Sequence, residues 1–371
     1  MRIGFDGKRV VQNFTGLGNY SRFILNLLQK HYPQNEYWVY VAKKSSLKLG
    51  VDNNINFRTK SQLIFNWLWR SFSIVKDLKR DKISLYHGLS NELPFGISSS
   101  GIPSVVTMHD LIFLRFPQFY SSIDRFIYLN KFKYACKNAD QVIAVSEQTK
   151  QDIVTYFKVN PNKIEVIYQG CNSIFKLKVS DEEKQKIRQK YSLPHHYLLQ
   201  VGTIEERKNL LLTVKSLNSV AQEIKLVVIG RETDYVAEVR EYMDEFNLKP
   251  RVKFLANVPV EDLPAIYQQA KLFVYPSEFE GFGIPIIEAL NSGIPVIAAT
   301  GSCLEEAGGP DSCYVHPKDD IQLAFTINSL INDQDKCDKM VEAGYRYVKK
   351  FDDAQLSEKL FNIYTKVLNY A

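Results

Sequence analysis

The stretch from Leu272 to Ala298 constrains the fold more than any other part of this 371-residue chain. Leu272 to Tyr275 is a short apolar run of the kind a buried parallel strand shows. Glu280 and Glu288 then flank Gly281-Phe282-Gly283-Ile284-Pro285. Two positions without a Cβ let this backbone approach a ligand closely, and Pro285 suits the first turn of a helix, where its missing N–H costs nothing. Gly293 and Pro295 stop that helix, and Pro295 to Ala298 resumes as a strand. The reading is strand, glycine loop, helix, turn and strand, with two carboxylates and free backbone N–H groups around one loop. Such a loop suits an anionic, hydroxyl-rich ligand. An ordinary strand-to-helix connection in an open α/β sheet shares the spacing, so spacing alone leaves both readings open.

The second half alternates strand and helix almost without interruption. Tyr197 to Val201, Lys225 to Ile229 and Val252 to Leu255 read as strands, and Asp181 to Tyr191, Leu210 to Val220, Tyr235 to Phe246 and Val260 to Gln269 as helices. This alternation means a parallel sheet covered on both faces. In the first half, Ile3 to Phe5, Glu36 to Ala42, Ile83 to His87, Pro103 to Met108, Gln141 to Ser146 and Lys163 to Ile167 read as strands. Helices are expected from the Phe14–Tyr20 glycine loop through Leu28, from Gln148 to Phe157, and from Leu63 to Leu78. The last carries Phe65, Trp67, Trp69 and Phe72 among Arg70, Lys76 and Lys79, and its pattern fits core packing and membrane contact alike. Phe113 to Tyr134, aromatic and basic, reads as an acceptor-side lid or as a solvated connection.

With 45% hydrophobic and 24% charged residues, the chain is long enough for two domains. Cys136, Cys171, Cys303, Cys313 and Cys337 are odd in number and form no Cys-x-x-Cys pair, which points to free thiols in a reducing cytosol. No apolar run has the length to cross a bilayer. Charge is divided unevenly: residues 1–178 carry 25 Lys and Arg against 12 Asp and Glu, and residues 179–371 carry 22 against 29. A basic half of +13 beside an acidic half of −7 implies two domains with different partners. No recognisable nucleic-acid module is present. An anionic membrane surface or lipid-linked substrate fits the basic half better.

Four other segments have the composition of binding elements. Gly16 and Gly18 follow the first strand, although Ser21 occupies the third glycine position of a dinucleotide fingerprint. His109 and Asp110 end a strand where open α/β sheets bind ligands. The plainer reading makes Asp110 a cap and leaves His109 satisfied by backbone. Arg207 and Lys208 lie between a strand and a helix, and taken alone could be surface charges. Asn257 and Val258 follow a further strand, and Glu306 lies in the loop read from Thr300 to Gly309.

The Glu280-to-Glu288 string, with its Glu-Gly-Phe-Gly-Ile-Pro core, closely resembles the Glu-x7-Glu signature of the retaining nucleotide-sugar glycosyltransferases of family 4. The Thr-Gly-Leu-Gly-Asn-Tyr loop, His109-Asp110 and the Lys208-Asn209 turn strengthen the resemblance, which covers nearly the whole chain. Asn291, where the family usually has alanine, and Thr203, where many members carry arginine, depart from it.

The resemblance implies a GT-B fold: two doubly wound α/β Rossmann-like domains facing across a cleft. It places an acceptor-side domain at 1–175, a nucleotide-sugar domain at 176–352, and a terminal helix at 353–371 returning to the first domain. It also implies that Glu280 faces the donor sugar and Glu288 the ribose, with Phe282, Gly283 and Ile284 of the loop against the donor. Gly16, Gly18, Lys208 and, in place of the missing arginine, Arg207 would meet the diphosphate, Asn257 and Val258 the base, and His109 and Asp110 the sugar and acceptor.

A nucleotide sugar is already activated, so the enzyme must stabilise charge on the departing diphosphate, and Lys208, Arg207 and the loop N–H groups supply that potential. The expected reaction is retaining and needs neither metal nor cofactor. Glu280 would bind sugar hydroxyls, with covalent double displacement as the runner-up. The donor closest in motif is GDP-mannose, as in bacterial O-antigen and capsule assembly. The acceptor would be a lipid-linked saccharide at the cytoplasmic face of the cell membrane. A GT-B-like epimerase or phosphorylase, and a non-catalytic nucleotide-sugar sensor, are the alternatives.

Overall fold

The computed structural model describes residues 1–12, 16–43, 55–60 and 65–369. It divides the chain into two compact units, Met1–Gly170 with Phe351–Ala371, and Cys171–Lys350. Each unit is built on one parallel sheet.

The first sheet contains β1 (Arg2–Asp6), β2 (Glu36–Val41), β3 (Asn56–Thr59), β4 (Leu85–Gly88), β5 (Ser104–Met108), β6 (Gln141–Ala144) and β7 (Ile164–Val166), in the order β3-β2-β1-β4-β5-β6-β7. Strands β4, β5 and β6 are buried at every position, which requires cover on both faces, and their polar residues His87, Ser104, Thr107 and Gln141 are buried with the rest. The order reverses between β1 and β4. That reversal opens a crevice outside the carboxyl ends of these two strands, the place where doubly wound sheets bind ligands.

The Asp353–Asn369 helix closes this unit. Leu356, Leu360, Ile363, Tyr364 and Val367 recur at helical spacing and enter the core that Ile24, Leu25 and Leu28 of the Gly16–His31 helix also line. Its Tyr364 hydroxyl meets His87 Nδ1 at 2.7 Å, and His87 Nε2 meets the Thr107 hydroxyl at 2.8 Å. Burial holds the His87 pKa down at about 3, so a neutral imidazole links the helix to β4 and β5.

The second sheet contains β8 (Tyr197–Val201), β9 (Lys225–Ile229), β10 (Val252–Leu255), β11 (Leu272–Tyr275), β12 (Val296–Ala299) and β13 (Cys313–Val315), in the order β10-β9-β8-β11-β12-β13. Its reversal lies between β8 and β11, the strands that precede the Arg207-Lys208 turn and the glycine loop. Gly230, at the end of β9, has no room for a side chain, since a Cβ there would lie 1.8 Å from the Gly202 carbonyl oxygen.

Several expectations change. Residues 63 and 64 of the Leu63–Leu78 helix, and Phe14 and Thr15 of the first glycine loop, lie outside the described residues. The rest of that helix is broken: Asn66–Leu68 and Ile74–Arg80 are α-helical, and Trp69–Ser73 between them is π-helical. Trp69 is buried and donates from Nε1 to Asp77 Oδ2 at 2.7 Å, whereas Phe65, Trp67 and Phe72 are 74%, 64% and 52% exposed. Gly16 and Gly18 sit inside the first turn of the Gly16–His31 helix rather than in a loop before it. The 113–134 segment is mostly helix, Ile112–Arg115 and Ser122–Asn138, and much of 121–130 is exposed. The 148–157 helix starts at Glu147 and becomes π-helical at Ile153–Phe157. The 300–309 loop contains the Leu304–Gly308 helix.

Candidate functional site

In the second unit the site grows from the ends of β8 and β11. After β8 the chain turns through Gly202, at φ +145°, into the 3-10 turn Glu206–Lys208, and Asn209 follows in the left-handed region at φ +56°. Side chains pin this turn. Asn209 Nδ2 donates to the carbonyls of Pro276 and Pro317 at 3.1 and 2.7 Å. Gln200 Nε2 donates to the Lys208 carbonyl at 3.1 Å, and Thr213 holds Gln200 at 2.8 Å. The Glu278 N–H donates to the Arg207 carbonyl at 2.9 Å, so the turn lies directly against the segment that leaves β11.

That segment is fixed from its other side by Cys303, whose thiol donates to the carbonyls of Glu280 and Phe282 at 3.0 and 3.1 Å. Gly283 then enters the Ile284–Asn291 helix at φ +130°, where a Cβ would press on Ala307 and Leu304 at 3.2 Å. Any L side chain there would meet both backbone strain and crowding.

These two segments bring Arg207, Lys208 and Glu280 together. Glu280 Oε2 lies 2.9 Å from Arg207 Nη1, and Glu280 Oε1 accepts from Lys208 Nζ and, at 3.2 Å, from the Tyr275 hydroxyl. Lys208 Nζ also donates to Tyr275 at 2.6 Å, and Arg207 Nη2 donates to Glu205 at 2.6 Å. Burial works against the Glu280 charge, but Arg207 and Lys208 overcome it and hold the carboxyl at about 2. The same pairing, with Glu205, raises Arg207 despite its burial. Glu280 is therefore ionised near neutral pH and held in register with two basic side chains at a sheet's switch point.

Glu288 behaves in the opposite way. Burial pushes its pKa up to about 7, only partly offset by the Tyr267 hydroxyl, which donates to Oε2 at 3.0 Å. The two carboxylates of one loop-and-helix unit are thus driven apart by environment, one always charged and one titrating near neutrality. Phe282 is buried, Ile284 is half-buried, and Asn257 occupies an exposed left-handed position beyond β10 beside the half-buried Val258. Glu306 is half-buried, and its carbonyl accepts from Tyr347 at 2.8 Å. The sequence contains one Asp-x-Asp triplet, Asp333-Gln334-Asp335. Asp333 caps the Gln334–Tyr347 helix, accepting from the Lys336 N–H at 2.9 Å.

In the first unit, His109 and Asp110 follow β5 as expected, yet their contacts match the plainer reading. His109 is buried: Nε2 donates to the Leu89 carbonyl at 2.9 Å, Nδ1 faces Gln169 Nε2 at 3.3 Å, and the ring meets Tyr20 edge-on at 4.6 Å. Burial keeps its pKa near 4. Asp110 Oδ1 accepts from the Ile112 N–H at 3.1 Å, and this carboxylate remains partly exposed. Gly16 is exposed and Gly18 buried at the start of the Gly16–His31 helix.

Residues 181–347 match the family described as Glycosyl transferases group 1, and residues 38–173 match Glycosyltransferase Family 4. The chain belongs to these glycosyltransferases. O-antigen chain mannosyltransferase B of Escherichia coli is 28% identical over 296 residues, covering 77% of this chain and 75% of that protein. O-antigen chain mannosyltransferase RfbU of Salmonella typhimurium is 28% identical over 257 residues, covering 69% and 68%. Among solved structures, Anabaena HepE in complex with UDP and glucose superposes with a TM-score of 0.77 at 19% identity, covering 99% of this chain and 100% of that one. At that identity the likeness is one of fold. The glycosyltransferase has the GT-B architecture of two Rossmann-like domains and a C-terminal helix.

Tyr275, Glu205, Gln200, Tyr267 and Cys303 also build the site, and sequence reading did not single them out. Tyr275 reaches Lys208 from 67 residues away, and Tyr267 and Cys303 reach Glu288 and the glycine loop from 21 and 23 residues away, whereas Glu205 and Gln200 act within their own turn.

The opposed carboxylates make this glycosyltransferase's stability depend on pH in two windows. The Glu280 contribution is full above its unfolded value of 4.5 and is lost as pH falls toward 2. Glu288 contributes fully below 4.5, and its contribution is lost as pH rises through about 7. Denaturant titrations of Glu288→Gln should therefore show a flatter pH dependence between pH 4.5 and 7 than wild type. Identical slopes would contradict the Glu288 assignment.

Proposed function

We propose that the chain transfers mannose from GDP-mannose to a hydroxyl of a lipid-linked saccharide, with retention of configuration and without a metal, in surface polysaccharide synthesis. The observation that carries this reading is the pairing of Arg207 and Lys208 with Glu280 at the switch point of the second sheet. The relatives' names, O-antigen chain mannosyltransferases, support mannose as the sugar.

In this reading the donor diphosphate takes over the two cations that Glu280 holds. Lys208 and Arg207 then stabilise the charge that develops on the leaving phosphate, the largest single contribution such a site can make. Glu280, released from both, turns its oxygens to the donor sugar's hydroxyls. Glu288 accepts from the ribose hydroxyls, and Asn257 and Val258 border the base. The acceptor attacks from the face the phosphate leaves, and that phosphate receives its proton. Asp110 of the first unit lies on the acceptor side, with His109 behind it as a neutral positioning group.

Membrane association at the cytoplasmic leaflet completes the reading. Ile123, Phe126 and Ile127 share a face of the Ser122–Asn138 helix and are 73%, 70% and 41% exposed. They continue through Tyr134, which contacts Phe95 at 4.4 Å, to Phe72, which stacks on Phe95 at 5.0 Å. Phe65 and Trp67, earlier in the same chain segment as Phe72, are 74% and 64% exposed. Exposed aromatic and aliphatic side chains on a half of charge +13 fit a shallow apolar foothold on an anionic bilayer. Among the described residues no helix is long and apolar enough to cross a membrane.

A melting-temperature screen against GDP-, UDP- and dTDP-sugars tests the donor, since a ligand that binds only the folded state stabilises it. GDP-mannose should give the largest rise, and a larger rise with UDP-glucose would contradict the mannose assignment. For the membrane, co-sedimentation should be strong with anionic vesicles at low salt, weaker at high salt, and roughly tenfold weaker for the double variant Trp67→Ser/Phe126→Ser. Binding indifferent to lipid charge and salt would overturn it.

A further inference from the structure

Two buried tyrosines of the second unit stand behind its two glutamates. Tyr267 ends the Leu263–Tyr267 helix and Tyr275 ends β11, and they are 0% and 2% exposed. The Tyr267 hydroxyl donates to Glu288 Oε2 at 3.0 Å, and the Tyr275 hydroxyl donates to Glu280 Oε1 at 3.2 Å. Phe273 joins them. It shares a face of β11 with Tyr275, since side chains two residues apart on a strand point the same way. Its ring stacks on Tyr275 at 5.7 Å and on Tyr267 at 5.4 Å. Phe175 closes the row, meeting Tyr267 edge-on at 5.3 Å. One continuous aromatic row therefore runs from the residue that holds Glu288 to the residue that holds Glu280.

We propose that Tyr267 and Tyr275 are positioning residues of the transfer reaction: Tyr275 keeps Glu280 in place while the donor draws off its cations, and Tyr267 fixes Glu288 so that its other oxygen meets the ribose. The inference rests on the proposed donor reading and names the groups that hold its two glutamates. Among the described residues, the side chains bonded to Glu280 are the cations Arg207 and Lys208 and the neutral Tyr275. A diphosphate attracts the cations and has far less hold on a neutral hydroxyl. Tyr275 accepts from Lys208 at 2.6 Å and donates to Glu280, the two kinds of bond a phenol can make at once. Its donated hydrogen bond stays on Glu280 when Lys208 turns to the phosphate.

Packing alone does not call for either hydroxyl. Phenylalanine would fill both places with the same ring, as Phe273 does between them, and a buried hydroxyl costs free energy unless it is bonded. Tyr197, buried on β8, shows the structural alternative, since its hydroxyl donates to a backbone carbonyl, that of Ile266, at 2.5 Å. Tyr267 and Tyr275 instead direct theirs to the two carboxylates of the site. Tyr267 occupies one oxygen of Glu288, Oε2, and leaves the other to a ligand. Burial works against charge on Glu288 and this hydroxyl partly offsets it, which favours a carboxylate that can accept from the ribose. Stacking on Phe273 fixes both rings, and so the direction from which each carboxylate is held.

The test is a pair of double-mutant cycles on the full-length protein, because coupling between two residues appears as non-additivity. Tyr275→Phe should lower GDP-mannose turnover about tenfold, leave GDP affinity nearly unchanged, and have no further effect in a Glu280→Ala background. Tyr267→Phe should weaken GDP about tenfold above neutral pH, where Glu288 is ionised, yet leave dideoxy-GDP, which lacks both ribose hydroxyls, unaffected. In Glu288→Ala, Tyr267→Phe should change neither affinity. Melting temperatures report the folding of each variant. The dideoxy comparison needs only the conservative Tyr267→Phe, so it decides the matter even where Glu288→Ala fails to fold. Equal losses for GDP and dideoxy-GDP, additive losses in either cycle, or phenylalanine variants that behave as wild type would overturn the proposal. The same couplings seen with UDP and its sugars, in a protein that does not bind GDP, would overturn the GDP-mannose reading and leave the positioning role standing. A protein that binds neither nucleotide would overturn both.

Discussion

The pairing of one carboxylate, Glu280, with two cations, Arg207 and Lys208, is the interaction on which the second unit's site depends. Taking three charges out of water is costly, and only mutual attraction with further hydrogen bonds offsets it. Tyr275 and Glu205 supply those bonds, and the backbone around them is held by Asn209, Gln200 and Cys303. The strands β8 and β11 that carry the two segments are adjacent in the sheet, which is why a turn and a loop some 70 residues apart meet. The consequence is a pre-organised positive site whose counter-ion is part of the protein.

The first unit repeats this logic with different residues. Its sheet reverses between β1 and β4, and there too opposite charges from separate elements converge, with Arg70 between Asp6 and Glu92.

Much of this was legible in the sequence. Strand and helix alternation gave both parallel sheets, because fully buried strands leave unbroken apolar runs such as Leu272 to Tyr275. The Glu280-to-Glu288 string and the Arg207-Lys208 turn located the second unit's cluster, although not that Glu280 and the cations bind one another. That contact depends on strand order, which periodicity does not carry. The aromatic helix near Trp69 was ambiguous for a physical reason: its π-helical segment shifts the phase, so Trp69 and Ile74, five residues apart, share the buried face while Phe65, Trp67 and Phe72 are exposed. Arg70 was one of three cations named along that helix, and its two carboxylate partners lie in other elements. His109 and Asp110 follow a strand end, and their contacts match the plainer of the two sequence readings, a capping aspartate and a histidine bonded to backbone.

The central claim is that Arg207 and Lys208 exchange Glu280 for the donor's diphosphate, leaving Glu280 to act on the sugar. Its most direct measurement is GDP affinity by calorimetry beside transfer or donor-hydrolysis rates, for wild type, Lys208→Ala and Glu280→Gln. The account predicts that Lys208→Ala weakens GDP binding and turnover together, whereas Glu280→Gln leaves GDP affinity nearly unchanged and lowers turnover about a hundredfold. Unchanged turnover in Glu280→Gln, or unchanged GDP affinity in Lys208→Ala, would contradict it.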